Sequence, residues 1–114
     1  MSAQKSTIRV LADYQCYPLW VVYSDGELDN IAPEVLHISS GLSESLNHWA
    51  DEYDGTLNED DPASSGFGTP GDERRFNDQG RGLAEQLAQE VGAEYKITYF
   101  DSFERKDIPI STEG

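Results

Sequence analysis

Basic residues are what this sequence most conspicuously lacks. Only 8 of its 114 residues are Lys or Arg, against 22 Asp and Glu, and the formal net charge is −14. From Val10 to Glu73 there is no Lys or Arg at all. A surface of this sign repels phosphate groups, so nucleic acid and anionic membranes are disfavoured as direct partners. Because such self-repulsion costs stability, the charge indicates either a role in solubility or a use in binding.

Cysteine and long apolar runs are also scarce. The single cysteine, Cys16, cannot form an internal disulfide, and no Cys/His spacing typical of a metal site is present. No apolar run approaches the ~20 residues that a membrane-spanning helix needs. Residues 1–6 are polar and lack the apolar core of a signal peptide. We therefore expect a reducing, cytoplasmic location.

Aromatic residues, in contrast, are plentiful: 4 Phe, 6 Tyr and 2 Trp. Each buries a large area for little loss of side-chain entropy, and disordered acidic chains are poor in them. A chain of this length can build one hydrophobic core. We expect residues 1–114 to form a single domain, with the termini at 1–7 and 102–114 less ordered.

The hydrophobic pattern predicts two strands, two helices and a third strand, in that order. Strands are expected at 8–14, 19–23 and 95–100, and the segment 27–38 is expected to be irregular, with Pro33 opening a short helical turn. The first helix is indicated by apolar residues at spacings of 4, 3, 4 and 4, namely Leu42, Leu46, Trp49, Tyr53 and Leu57. The second helix buries a stripe of Phe76, Leu83, Leu87 and Val91, with Gly80 on the same face.

These elements predict an α+β fold in two layers. The order β-β-α-α-β is most simply satisfied by a three-stranded, mainly antiparallel sheet with both helices on one face. Ser39 or Ser40 is expected to cap the first helix and Asp72 or Asp78 to open the second. Gly55 and Gly92 are expected to mark the two helix ends.

Several residue patterns could carry chemistry, but each is outweighed by a simpler explanation. Glu44, His48 and Asp51 share one helical face at metal-ligand spacing, yet that face lies opposite the apolar stripe, where polar residues belong. Cys16 with a histidine, His37 or His48, lacks the flanking motif of a nucleophile–base pair. We expect no enzyme activity, metal site or cofactor.

Two loop segments fail as ligand-binding motifs in the same way. The acidic residues from Asp54 to Asp61 resemble a calcium loop in composition, but the glycine and the glutamate that such a loop requires are missing from the sixth and twelfth positions. The segment Gly66-Phe67-Gly68 lacks both a phosphate-binding motif and a nearby Lys. Neither segment predicts a ligand site.

The densest group of carboxylates lies at the end of the first helix and in the loop that follows, residues 58–71. Its acidic members are Asp51, Glu52, Asp54, Glu59, Asp60 and Asp61, with Phe67 nearby. Carboxylates mixed with aromatic rings suit the blocking of a basic groove, because the charge steers and the rings anchor. We predict that these residues bind a basic partner. The acidic turn at Asp25, Glu27 and Asp29 is the alternative binding surface. The simplest explanation of the charge is an ordinary solvated surface with no partner.

The segments 49–58, 60–62 and 65–67, together with the helix 80–87, resemble small acidic bacterial proteins that confer immunity in polymorphic toxin systems. The resemblance spans about residues 8–101 and adds nothing to the fold prediction. It implies a cytoplasmic inhibitor that holds a toxin domain, often a nuclease, inactive.

The function that the sequence favours is therefore stoichiometric inhibition of a basic bacterial effector or toxin domain. Two alternatives stay open. A nucleic-acid mimic directed at a nucleic-acid-binding protein would carry the same charge. A small ligand-binding domain or enzyme would use the aromatic region 14–23 to line a pocket.

Overall fold

The computed structural model describes residues 6–56 and 69–110, and the structural statements below concern these two ranges. The ranges contain five strands, one short 3-10 helix and two α-helices. The strands are β1 (Thr7–Val10), β2 (Leu19–Val22), β3 (Leu28–Ile31), β4 (Lys96–Asp101) and β5 (Lys106–Ile110). The 3-10 helix is Pro33–Val35, and the two α-helices are α1 (Ser40–Asp54) and α2 (Pro70–Val91).

All five strands form one mixed sheet in the order β3-β2-β1-β4-β5. The central strand β1 pairs antiparallel with β2 and parallel with β4, and the outer pairs, β2–β3 and β4–β5, are antiparallel. Both α-helices lie between β3 and β4 in the chain and form part of the long crossover that the parallel pair β1–β4 requires. Ile8 of β1 thereby sits opposite Val21 on one side and Ile97 on the other.

The prediction of an α+β fold in two layers is confirmed, but the prediction of three strands is wrong. The sequence does not predict β3, because Leu28 and Asp29 are exposed and the strand has no alternating apolar pattern. β5 lies within residues 102–114 and contains Pro109, which argues against a strand unless the strand is at an edge. Both missed strands are the edges of the sheet, where burial imposes the weakest pattern on the sequence.

The core lies between one face of the sheet and the two helices. The buried strand residues are Ile8, Val10, Leu19, Val21, Ile97 and Tyr99, and the helices contribute Leu42, Leu46, Trp49, Phe76, Leu87 and Val91 among others. Trp49 is 1% exposed and stacks on Phe76 with ring centroids 4.6 Å apart. Its indole N–H donates to the carbonyl oxygen of Phe76 at 3.0 Å. The predicted apolar stripe of the first helix is thus the core face of α1.

Gly80 shows how closely α2 approaches the rest of the core. A Cβ atom at this position would lie 2.7 Å from the Tyr99 hydroxyl and would overlap the indole of Trp49. That hydroxyl lies 2.8 Å from the side-chain oxygen of Asn77, which is also buried. The missing side chain at this position of the predicted apolar face thus permits α2 to pack closely against Trp49 and Tyr99.

The helix boundaries follow the capping rules, with one correction. Ser39 caps α1 as predicted, since its side chain accepts the N–H of Leu42. The second helix begins earlier than predicted, at Pro70, because Thr69 provides the cap and proline is favourable in the first turn. Gly55 and Gly92 follow the two helices as expected, whereas Leu57 lies outside the described residues.

In the two described ranges, no helix combines the length and the apolar character needed to cross a bilayer.

Candidate partner-binding surface

The predicted acidic cluster is described in part, at the end of α1. Asp51 and Glu52 are exposed and Asp54 is half-buried. The remaining predicted contact residues, Glu59, Asp60, Asp61 and Phe67, lie outside the described residues. Because Trp49 and Tyr53 turn the apolar face of α1 inward, the intervening Asp51 and Glu52 are presented to solvent.

Asp54 is a structural residue as well as a surface charge. Its Oδ1 atom accepts the backbone N–H of Gln15 at 2.8 Å. Gln15 has a φ of 60°, in the left-handed region that non-glycine residues rarely adopt. The contact therefore fixes the turn between β1 and β2 against the end of α1.

A second set of contacts fixes the same turn through aromatic rings. Tyr14 stacks on Tyr53 of α1 with ring centroids 4.6 Å apart. The hydroxyl of Tyr14 lies 3.0 Å from that of Thr56, and the Thr56 hydroxyl donates to the carbonyl oxygen of Tyr53 at 2.6 Å. Residues from two distant parts of the chain thus form one rigid corner of the surface.

Between this turn and α1 lies an open cleft of about 390 Å³. The residues lining it are Gln15, Cys16, Tyr17, Pro18, Asn30, Asn47, Ala50, Asp51 and Asp54. Tyr17 lines the cleft from the turn, and Asp51 and Asp54 line it from α1. The polarity of this lining suits a cationic or hydrogen-bonding group better than an apolar ligand.

Cys16 is poorly suited to nucleophilic chemistry. Desolvation, followed by the charges of Asp13 and Asp54, raises the pKa of its thiol. A raised pKa keeps the thiol protonated at neutral pH, whereas the reactive species is the thiolate. Both His37 and His48 are exposed, and neither lines the cleft around Cys16. A nucleophile–base pair is therefore not assembled among the residues described.

The helix face that could have carried a metal also shows no assembled site. Glu44, His48 and Asp51 all lie on the exposed side of α1. Within the described part of the chain, no group of three or more His, Cys, Asp or Glu side chains is placed to hold a metal ion. This face can offer individual charges to a partner.

The alternative acidic surface is the turn that joins β2 to β3. Gly26 has a φ of 90°, which glycine adopts without strain. The carboxylate of Asp25 accepts the N–H of Glu27 at 3.0 Å, and the N–H of Tyr23 is donated to the carbonyl oxygen of Glu27 at 2.9 Å. Asp25, Glu27 and Asp29 are all exposed, so this turn presents a second compact set of negative charges.

The carboxylates of residues 10–56 have no cationic partner within the described residues. The nine carboxylates of residues 10–56 are Asp13, Asp25, Glu27, Asp29, Glu34, Glu44, Asp51, Glu52 and Asp54. The three ion pairs found among the described residues use none of them, joining instead Arg9 to Asp107, Arg75 to Asp72, and Lys106 to Glu104. The negative charge of these nine carboxylates, called the acidic side below, is therefore not compensated by ion pairs within the described residues.

Sequence reasoning did not identify a group of exposed hydrophobic side chains on the same side. Among the described residues, five large hydrophobic side chains are strongly exposed, and four of them lie in one stretch of chain: Tyr17, Tyr23, Leu28 and Val35. Tyr17, Leu28 and Val35 lie in segments without helical or strand periodicity, and Tyr23 lies at the end of a predicted strand, so the sequence does not group them. Single exposed hydrophobic residues are ordinary, but a group of them often indicates an interaction surface.

Comparison with known families gives one match. Residues 6–102 match the model of a family described as Serratia CdiI immunity protein-like. No curated protein matches the chain. The matched range includes both α-helices, β1 to β4 and the nine carboxylates of residues 10–56.

Proposed function

The chain belongs to the Serratia CdiI immunity protein-like family, and we propose on this basis that it binds a basic toxin domain through its acidic side and thereby inhibits it. Membership of the family makes it an immunity protein of a contact-dependent inhibition toxin system. Its partner is accordingly a cognate toxin protein. The basic character of that toxin and the surface that binds it are parts of the proposal.

The observation that carries the proposal is the combination of this family membership with an acidic side that has no internal counter-charges. Nine carboxylates of residues 10–56 have no ion-pair partner in the described structure. Unpaired charges of one sign raise the rate at which an oppositely charged protein is captured. Toxins that act on nucleic acid carry basic grooves, so a nuclease domain is the simplest partner.

We propose that the contact surface begins at Asp51, Glu52 and Asp54 at the end of α1 and extends along the chain. Its further members would be Glu59, Asp60, Asp61 and Phe67. Asp51 and Glu52 make no hydrogen bond or ion pair through their side chains in the described structure, so they are available for a partner. Asp54 would contribute charge while its Oδ1 atom holds the turn at Gln15.

An inhibitor of this kind must share a compartment with its toxin, and we propose the cytoplasm. Inhibition would be stoichiometric, with no turnover by the immunity protein. The toxin would remain intact and regain its activity when the complex is dissociated.

The proposal is tested by co-expressing this chain with the toxin domain encoded by the gene immediately upstream. We expect growth to be rescued and the purified pair to form a complex of equal stoichiometry by light scattering. The purified chain should also abolish the activity of the toxin at a ratio of one to one. Unimpaired toxicity in the presence of abundant folded chain, with no complex in solution, would refute the proposal.

A further inference from the structure

β3 is an edge strand whose outer side is open. It pairs with β2 and has no other strand beside it within the described residues. Tyr23 donates its N–H to Glu27, and hydrogen-bonded pairs alternate with non-bonded pairs along an antiparallel ladder. The pairs Val22–Leu28 and Trp20–Asn30 are therefore the non-bonded ones. The peptide N–H and C=O groups of Leu28 and Asn30 consequently point away from the sheet.

The exposed hydrophobic side chains are grouped around this edge. Leu28 is in β3 itself and is 61% exposed, and Val35, in the 3-10 helix that follows, is 67% exposed. Tyr17 donates its backbone N–H to the side-chain oxygen of Asn30 at 2.9 Å. The hydroxyl of Tyr23 lies 3.5 Å from the carboxylate of Asp29. These contacts place apolar side chains next to unpaired peptide groups.

In the part of the chain that the structure describes, the exposed charges on β3 and on the segments flanking it are negative. Asp25, Glu27, Asp29 and Glu34 are exposed, and none takes part in an ion pair in the described structure. The carboxylates would repel an acidic strand and attract one that carries Lys or Arg. A second copy of this acidic chain is disfavoured for the same reason.

The other edge of the sheet is protected against strand addition. β5 contains Pro109, which has no N–H to donate, and begins with Lys106. Proline and lysine are devices by which natural edge strands avoid pairing with other chains. The four residues of β3 include neither. The two edges therefore differ in their capacity to accept a strand.

We propose that β3 is the docking edge for an extended, cationic segment of the cognate toxin, which adds to the sheet as a sixth strand. The outward peptide groups of Leu28 and Asn30 would pair with the backbone of that segment. Leu28 would contact its apolar side chains, and Asp25, Glu27 and Asp29 would contact its Lys or Arg side chains. This inference rests on the proposed function and adds to it a second contact surface and a mode of recognition.

The test is amide hydrogen exchange on the wild-type chain, alone and with the toxin domain encoded upstream. We expect the N–H groups of Leu28 and Asn30 to exchange rapidly in the free chain and to become protected in the complex. Leu28→Pro removes one outward N–H that the fold does not use, and it should weaken toxin affinity by about tenfold or more. Leu28→Ala keeps that N–H and should weaken affinity less.

The outcomes separate this inference from the function on which it rests. If the wild-type chain neither binds nor inhibits the toxin, the proposed function fails and the inference fails with it. If the chain inhibits the toxin while both amides exchange equally fast free and bound, the inference alone is overturned. It is also overturned if protection arises with increasing concentration of the chain alone, because the occupant is then a second copy. The exchange measurement needs no variant and holds even if Leu28→Pro does not fold.

Discussion

Two stretches of the molecule, residues 10–56 and residues 69–110, carry the same number of carboxylates but use them differently. Each stretch has nine Asp and Glu residues. The second also has six basic residues, Arg74, Arg75, Arg81, Lys96, Arg105 and Lys106, whereas the first has none. The difference in net charge between the two stretches therefore comes entirely from the six basic residues of the second stretch.

In the second stretch, charged groups are engaged within the molecule. Arg75 pairs with Asp72, and Arg9 of β1 pairs with Asp107 at 2.7 Å. The guanidinium of Arg74 lies 4.9 Å from the ring centroid of Phe103, the one strongly exposed large hydrophobic residue of this stretch. Internal partners thus cover part of the charge and the exposed ring of Phe103 there. In the first stretch no carboxylate has an ion-pair partner among the described residues, and four large hydrophobic residues are strongly exposed.

The largest expected effect comes from breaking the core that both stretches share. Trp49→Ala removes a buried indole that stacks on Phe76, and it should lower the free energy of unfolding by about 3–5 kcal/mol. Chemical denaturation measures this value. His48→Ala, on the exposed side of the same helix, is the control and should change it by less than about 0.5 kcal/mol. A Trp49→Ala chain as stable as the wild type would show that the face of α1 is wrongly assigned.

The next effect is a steric one at the contact between α2 and the sheet. Gly80→Ala places a methyl group against Trp49 and Tyr99, and it should cost about 1–3 kcal/mol of unfolding free energy. Gly82 lies in the same helix, and a Cβ there meets nothing within 4 Å. Gly82→Ala should therefore stabilise the chain by about 0.5–1 kcal/mol. Equal effects of the two substitutions on the denaturation midpoint would contradict the close approach of α2 to Trp49 and Tyr99.

A smaller, pH-dependent effect is expected at the turn between β4 and β5. The backbone N–H groups of Glu104 and Phe103 donate to the Asp101 carboxylate, at 3.0 and 2.8 Å. The Glu104 contact is the main cause that lowers the pKa of Asp101 below its usual range. A lowered folded-state pKa means that the stabilisation is present above the unfolded pKa, about 3.9. It is lost as the pH falls through the folded pKa.

Asp101→Asn should accordingly cost about 1 kcal/mol at neutral pH. The difference from the wild type should begin to shrink below about pH 4, where the unfolded-state carboxylate takes up a proton, and should shrink further as the pH falls through the lowered folded-state pKa. Urea denaturation at a series of pH values gives both curves. If the difference in unfolding free energy between the two chains stays constant from pH 7 to pH 3, the ionised form of Asp101 contributes nothing to stability.

The buried parts of the fold could be predicted from the sequence because burial imposes periodicity. Leu42, Leu46 and Trp49 recur at helical spacing, and all three are buried. Ile97 and Tyr99 alternate with exposed or half-exposed neighbours in β4, within the predicted third strand. Gly80 could be assigned to a close contact because it interrupts an otherwise apolar stripe.

The edges of the sheet could not be predicted because exposure removes that constraint. β3 reads Leu-Asp-Asn-Ile, with no alternation of apolar and polar residues. Pro109 is compatible with β5 only because β5 is an edge strand. The parallel pairing of β1 with β4 joins segments about 90 residues apart, a separation over which no local pattern acts.

The acidic character of the candidate surface could be read from the sequence, but its arrangement could not. The run without basic residues predicts where negative charge accumulates. That Leu28, Val35 and two tyrosines lie near an open strand edge follows from the pairing of β2 with β3. Asp54 illustrates the same limit, because its contact with Gln15 joins residues 39 positions apart.

The most direct test of the account is the rate at which the toxin domain associates with two variants of equal net charge. Asp51→Asn with Glu52→Gln neutralises the acidic side, and Glu85→Gln with Glu94→Gln neutralises two exposed carboxylates of the other stretch. Because none of the four takes part in an ion pair, all should change unfolding free energy by less than about 0.5 kcal/mol each.

We expect the first pair of substitutions to slow association by roughly threefold at low salt and to weaken its dependence on salt. At physiological ionic strength, salt screens least the charges that lie within ~8–10 Å of the bound toxin. The second pair should therefore have a clearly smaller effect, and stopped-flow measurements over a range of salt concentrations give both rates. Equal rates for the two variants, or an association rate for the wild type that does not respond to salt, would contradict capture of the toxin by the acidic side.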